Sequence, residues 1–557
     1  MSRRPASSKY DVARLKYIET EKLYGNLSTE GGIFEIVLAS PKGYGPAMSS
    51  LRFQNFFRQL ASWPETSCER AFYPPADEYH WRSRYGHPAV TLETGKSIRR
   101  SDLLAFSLSD ESEYLKVLQM MELAGMELRS EKRTDKWPLV IVSGIPVTAN
   151  PLPLSMFMDA FVIGETDSSI GPVLDTIKSM GAQGASKKKL LRRLATLPGI
   201  YVPSIHEIPG KVSSIMRQWA GSDGMGSTSC VTSPECVYGD LRMVEISRGC
   251  PFNCKFCQVG YVSLPYRECK LEDIEDIMTS LSEDGSIVLT ACSPKSHPEI
   301  RSIINSAAKC KLEVKLSSHK TESSATMEDL AHDLKEYSII LAPETGSDSL
   351  RKIIGKKLTN ERLLTSLERR LSKENRSVRI YFMIGMPFET DLDRAAIIEF
   401  VAAVRKLTDK PIQVVLKPFV PKPWMAFQWS AMARPDNLRK WIDTITTGLK
   451  KLKKIKVRSG DPREAHIQAL LARGDRSICG VLEDKLTGMG WNTAFENAGI
   501  DMRWVFRELK PESSFGWDFL NMGFGHTRLS REYQASVSAH LNRMKAMEKD
   551  LEKEVEE

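Results

Sequence analysis

Cysteine is scarce in this chain, and long apolar runs are missing. Its 557 residues include ten cysteines, of which only three stand close together. That excludes a disulfide scaffold and suits a reducing compartment with a single metal site. No second C-x2-C occurs, so a zinc knuckle would lack its fourth ligand at the usual spacing. No stretch reaches the roughly 18 uncharged apolar residues of a membrane span, so no membrane partner is expected. The opening MSRRPASSKYDVARLKYIE is basic but has no apolar core, so no secretory signal is read there and a cytoplasmic location is expected. A net charge of +8 allows an acidic partner without calling for nucleic acid. The lysine-rich runs at 187–189 and 450–456 carry no interleaved aromatics of the kind RNA binding uses. With 41% apolar and 27% charged residues, the chain is globular and long enough for two to four domains.

What is present concentrates in MVEISRGCPFNCKFCQVG. A strand-like segment, Met243 to Ile246, runs into Gly249 and then Cys250, Cys254 and Cys257 at C-x3-C-x2-C spacing. Three thiolates on one loop can hold three corners of a [4Fe-4S] cluster and leave one iron open for chemistry, where electron-transfer ferredoxins use four cysteines. Structural cysteines or zinc are the alternative. Further strands are expected at 287–291, 312–316, 339–342, 379–384 and 413–417, after a first at 244–247, with helical patterns between them. Six strand–helix units predict a partial (βα)6 barrel, whose chemistry sits at the strands' C-terminal ends. There lie Thr290-Ala291-Cys292-Ser293, then Glu344-Thr-Gly346-Ser347, then Gly385-Met-Pro-Phe-Glu389-Thr390.

Upstream, apolar strand units at 33–39, 101–109, 138–151 and 160–163 alternate with helix-spaced segments that include Met48, Leu51, Phe56 and Leu60. The fold class is therefore α/β, with a Rossmann-like parallel sheet before the barrel and a mainly α-helical C-terminal domain after it. Ligands of such sheets bind past the strands' carboxyl ends. The candidates there are Ser40, Gly43, Ser107, Ser109, Ser143, Gly144, Gly164 and Glu165, small or polar residues that leave room for a large flat ligand. A sheet that binds nothing and only packs on the barrel is the alternative.

The cysteine triad, with Phe256 before its last member and a strand ahead of it, resembles the radical S-adenosylmethionine (SAM) superfamily. With VIVSGIPVTANP and DAFVIGE upstream, roughly residues 30–440 resemble the cobalamin-dependent (class B) radical SAM methyltransferases. The resemblance implies an N-terminal arm (1–30), a cobalamin-binding domain (31–185), a linker with helices (186–240), a radical SAM barrel (241–430) and a helical substrate-recognition domain (431–557). It implies a [4Fe-4S] cluster on Cys250, Cys254 and Cys257, with SAM against Phe256, Glu344, Ser347 and Gly385. It implies cobalamin, as methylcobalamin, at the eight upstream candidates. The expected activity is C-methylation of an unactivated carbon, with a protein or peptide residue as substrate. A glutamine of archaeal methyl-coenzyme M reductase is the narrowest candidate. A small molecule such as tryptophan, or a non-methylating radical SAM enzyme with a vestigial cobalamin domain, is the alternative. A ferredoxin or flavodoxin is the expected one-electron reductant.

Two departures stand out. The D-x-H-x-x-G motif of histidine-ligated cobalamin domains is absent, since Asp77 and His80 are spaced differently. Thr290-Ala291-Cys292-Ser293 replaces the Gly-Gly-Glu-Pro that takes the methionyl amine, so that amine lacks its usual carboxylate. Elsewhere, 187–199 is expected as a short basic helix and the Gly/Ser-rich 221–236 as a flexible linker carrying Cys230 and Cys236. An aromatic wall or a packed core is expected at 417–429, a basic helix over 439–458 and a charged helix over 531–557.

Overall fold

The computed structural model describes residues 9–207, 214–222, 225–283, 285–316, 338–373 and 377–556. The N-terminal sheet comprises β1 (Phe34–Ser40), β2 (Thr66–Phe72), β3 (Leu103–Leu108), β4 (Leu139–Gly144), β5 (Ala160–Val162) and β6 (Ile200–Tyr201). Its order is β2-β1-β3-β4-β5-β6, parallel throughout except for antiparallel β6. The central strands are near-continuous apolar runs, as required of strands covered on both faces. Helix α1 (Leu51–Ala61) is N-capped by Ser50 and buries Phe53, Phe56, Phe57 and Leu60, one stripe at helical spacing.

Strand β2 was not expected, because TSCERAF shows no apolar alternation. Glu69 and Arg70 are both buried in it. Arg70 pairs with Glu21 at 2.6 Å and Glu93 at 2.7 Å, while Glu69 pairs with Lys96 at 2.7 Å. Burial of such charges is tolerated only when they are paired.

The second body carries β7 (Arg242–Glu245), β8 (Ser286–Thr290) and β9 (Glu313–Leu316) in one parallel segment. A second parallel segment holds β10 (Ser338–Glu344), β11 (Ser377–Ile384), β12 (Ile412–Pro418) and β13 (Ile455–Ser459). The six expected strands form, and β13 is a seventh. It corrects the long basic helix expected over 439–458, which ends at Lys450. Beyond it, Ile455-Lys456-Val457-Arg458 alternates with period two, half-buried against exposed, as an edge strand does.

The stretch expected as a flexible linker has an interior segment at 229–233. Ser229, Cys230, Val231, Thr232 and Ser233 are buried, and Val231–Thr232 pairs antiparallel with Lys22–Leu23. Small hydroxylated residues serve here because the backbone N–H and C=O groups find partners in neighbouring chain, as in Ser229 N–H to the Met243 carbonyl at 2.9 Å. Cys230 lies against the Gln54 carbonyl, and burial pushes its thiol pKa up. The basic helix Lys187–Leu194 is docked at its start, where Lys187 and Arg133 both reach the buried Asp159.

The aromatic run at 417–429 proves to be core. Phe419, Trp424, Phe427 and Trp429 are all buried, and Trp424 donates its indole N–H to the Ala149 carbonyl at 3.0 Å. That bond ties the barrel to the N-terminal sheet. The C-terminal region is helical and ends in α2 (His526–Glu556), which packs Tyr533 against Phe427 and Trp429. Among the described residues, no helix is long and apolar enough to cross a membrane.

Candidate functional site: a cysteine loop and a seam between two sets of strand ends

The cysteine loop is fixed by close backbone approaches. Gly249 has φ +82°, and a Cβ there would meet the Ser263 and Pro265 carbonyl oxygens at 2.7 and 2.9 Å. Only glycine fits. Cys250 and Cys254 are buried, Cys257 is half-buried, and Cys257 caps the short helix Gln258–Val262. On the far side, Gly355 (φ +81°) passes so near that a Cβ would lie 2.6 Å from the Asn253 carbonyl oxygen. The Lys255 N–H donates to the Ile354 carbonyl at 3.0 Å.

The residues fit a cluster. Three thiolates spread along one loop suit a polynuclear cluster, where each binds a different iron.

One face of α2 closes on this loop. Arg528 donates to Asn253 Oδ1 at 3.3 Å, and Tyr261 donates its hydroxyl to Glu532. The fully buried Ser536 accepts from Lys255 Nζ at 2.7 Å and donates to the Ile353 carbonyl at 2.9 Å. Further along, Arg543 reaches Asp393 Oδ1 at 2.7 Å. These positions are spaced by four, four and seven residues, which keeps them on one helical face.

The four residues expected around SAM are placed as follows. Phe256 packs partly buried against the main core. Glu344 ends β10 at φ +66°, a strained conformation for a side-chain-bearing residue, and is held by Lys356 Nζ at 3.2 Å. Ser347 caps the helix Asp348–Ile353 and donates its hydroxyl to Asp393. Gly385 (φ +77°) donates its N–H to Glu389 at 2.8 Å, and a Cβ there would strike Leu438. Gly346 admits a helix: a Cβ there would lie 2.2 Å from the Ile397 nitrogen. Burial raises the Glu389 carboxyl to about 7, against the pull of the Gly385 N–H and Arg394.

A second site lies in the seam where the carboxyl ends of the N-terminal strands face those of the barrel. Its enclosed volume is about 340 Å³, within the range of small-molecule pockets, and it continues into an open mouth. Ser107 and Ser143, register partners at the ends of β3 and β4, line one side. Arg248, Gly249, Thr290 and Cys292 line the other.

Of the eight upstream candidates, Glu165 also borders this cavity, but as a bridge. It accepts from Arg267 at 2.6 Å, Arg248 at 2.8 Å and the Ala220 N–H at 3.0 Å. Burial alone would raise its pKa; Arg267 and Arg248 outweigh that and hold it at about 2. Arg248 also pairs with Asp167 at 3.0 Å and Glu245 at 2.7 Å. Ser109 is occupied by Glu113, bonded through both its N–H and its hydroxyl. Gly144 and Gly164 admit neighbouring backbone, since a Cβ would stand 1.9 Å from the Leu108 oxygen and 2.0 Å from the Gln218 oxygen. Ser40 is buried at the end of β1, accepting from the Lys42 N–H at 3.3 Å. Gly43 borders a separate aromatic groove beneath the N-terminal helix Lys9–Thr20.

Sequence reasoning missed Asn55, Asp167, Tyr238 and Glu245 at this seam, and Arg267 as the main partner of Glu165. Nothing in their local sequence marks them, and Asp167 with Arg248 is a pairing across 81 residues.

Comparison with known proteins agrees with this geometry. Residues 52–203 match the model for the N-terminal domain of radical SAM proteins, and residues 244–401 match the radical SAM superfamily model. An uncharacterized protein of Methanocaldococcus jannaschii is 26% identical over 400 residues, covering 70% of this chain and 82% of that protein. Among solved structures, the cobalamin-dependent SAM radical enzyme OxsB, with aqua-cobalamin and SAM bound, aligns over 94% of this chain and 81% of its own at 12% identity and TM-score 0.46. Streptococcus suis SuiB bound to SAM aligns over 39% of this chain and 50% of its own at 14% identity and TM-score 0.29. Structural likeness this distant carries no function. The matched superfamily model spans the cysteine triad and the strand ends after it, and the chain is a radical SAM enzyme.

Proposed function

We propose that this radical SAM enzyme is a cobalamin-dependent C-methyltransferase. The observation that carries the proposal is the seam cavity, bordered at once by the serines ending β3 and β4 and by Arg248 and Gly249 of the cysteine loop. Cluster and SAM would supply hydrogen abstraction from an unactivated carbon, and cobalamin the methyl group. Cys250, Cys254 and Cys257 would hold the cluster. Glu344, aimed by Lys356, would accept from the ribose hydroxyls or the ammonium of SAM. Ser107 and Ser143 would offer hydroxyls to the corrin edge. Cobalamin exceeds the enclosed volume and would extend through the mouth. The buried aromatic core and α2 would keep water from the reacting centre.

The substrate we favour is a protein or peptide residue. The glutamine of methyl-coenzyme M reductase is the narrowest candidate, and it rests on the sequence resemblance. A second reading is a non-methylating enzyme with a vestigial cobalamin domain. It is favoured by the packing roles of Ser109, Gly144, Gly164 and Glu165. Anaerobic purification and reconstitution with iron, sulfide and cobalamin, followed by ultraviolet–visible spectroscopy, separates the two. Retained corrinoid bands beside a cluster shoulder support methyl transfer. A cluster without retained corrinoid abandons it for the second reading.

A further inference from the structure

A cluster recharged by single electrons needs an approach for its donor, and the outer side of the cysteine loop has a distinctive one. Pro251 and Asn253, between the first two cysteines, are exposed. Beside them a cavity is lined by Cys250, Cys254, Lys356, Lys357 and Arg528, and none of its described lining residues is acidic. Lys356 is spent on Glu344, and Arg528 on Glu532 at 3.1 Å. Lys357 is exposed, as is Lys352, whose carbonyl accepts the Gly355 N–H at 3.2 Å. Among the described residues, neither Lys352 nor Lys357 forms an ion pair, whereas most charges at the seam do. A further cationic surface, Lys450 to Lys456, lies at the starting ends of β12 and β13, opposite the strand ends that form the site.

We propose that this face docks an acidic one-electron carrier protein, with the exposed Lys352 and Lys357 meeting its carboxylates beside Cys250 and Cys254. In the transfer the carrier loses one electron and the cluster gains one; no bond or proton changes place. Unpaired exposed cations with no opposing carboxylate are what steer and orient an acidic partner. The inference rests on the radical SAM reading of the cysteine loop, since it needs a reducible cluster there.

The test uses full-length reconstituted protein and pre-reduced flavodoxin as the acidic carrier. Iron content is measured first, then the rate of cluster reduction by stopped-flow absorbance. In wild type the rate should fall steeply with added salt. The K352E/K357E double variant should react at least tenfold more slowly at low salt and lose most of that salt dependence. Reduction by dithionite should stay unchanged in both, which controls for folding and cluster loading. Should the double variant lose iron, K357E alone serves, with a several-fold decrease expected. Equal carrier-driven rates in wild type and a cluster-replete variant, or a salt-independent wild-type rate, would overturn the docking face. Failure of wild type to take up iron would instead remove the cluster reading itself.

Discussion

The seam cavity is walled by charges of both signs, most of them paired with one another, while the described lining of the cavity at the cysteine loop holds cations and no carboxylate. At the seam, Glu165 and Asp167 of the N-terminal body meet Arg248 and Arg267 of the barrel, so most of the charge there is consumed in joining the two. At the cysteine loop the joining is done by neutral or locally balanced contacts from α2, such as Ser536 with Lys255 and the Ile353 carbonyl. The lesson concerns how charge is used. Buried pairs fix geometry, and exposed unpaired cations remain available to a partner.

Substitutions can break this comparison at graded cost. The largest effect is expected for Cys254→Ala, which should abolish cluster retention and SAM cleavage; iron content and 5′-deoxyadenosine formation report it. Unchanged cluster absorbance would sink the ligand assignment. Next is Glu165→Ala, which leaves the buried Arg267 without its carboxylate and removes one of three partners of Arg248; it should cost about 3–5 kcal/mol, read by denaturant unfolding. Its pH dependence has a defined sign. The folded carboxyl sits at about 2, below its ordinary 4.5, so its contribution is fully present above 4.5 and is lost as pH falls from there toward 2. A Glu165→Gln variant should flatten that acid limb.

Ser143→Leu should weaken corrinoid retention at least tenfold while leaving iron content intact, as followed by desalting and absorbance. Equal loss of both cofactors would mean that it damaged the fold and not the ligand wall. The smallest effect is expected at Glu389, whose carboxyl burial raises to about 7. A raised acid is most stabilising while protonated, so stability should decline as pH rises from 4.5 through 7. Glu389→Gln should remove that decline, seen as a Tm that no longer drops over this interval.

Much of the fold was legible because its signals are local. Continuous apolar runs gave β1, β3, β4 and the barrel strands, and the C-x3-C-x2-C spacing marked the cluster loop without help from any distant residue. Strand β2 was not legible, because its buried Glu69 and Arg70 imitate a surface segment until Glu21, Glu93 and Lys96 arrive from elsewhere. The Gly/Ser stretch around Cys230 imitated a linker for a related reason, since composition does not reveal which backbone groups will find partners. The upstream glycines were legible as special, yet their purpose was not. At Gly144 and Gly164 the missing Cβ makes room for adjacent backbone.

The sequence by itself determined the element types, the cysteine triad and the placing of candidate residues at strand ends, because periodicity and short spacings are properties of contiguous chain. Only the tertiary structure decided which of those residues face a cavity and which are spent on a neighbour. Ser107 and Ser143 stay at the cavity wall while Glu165 is drawn into a bridge to Arg248 and Arg267, pairs more than 80 residues apart. Such pairings depend on how two bodies pack, and no local pattern encodes the desolvation that makes a charge seek its partner.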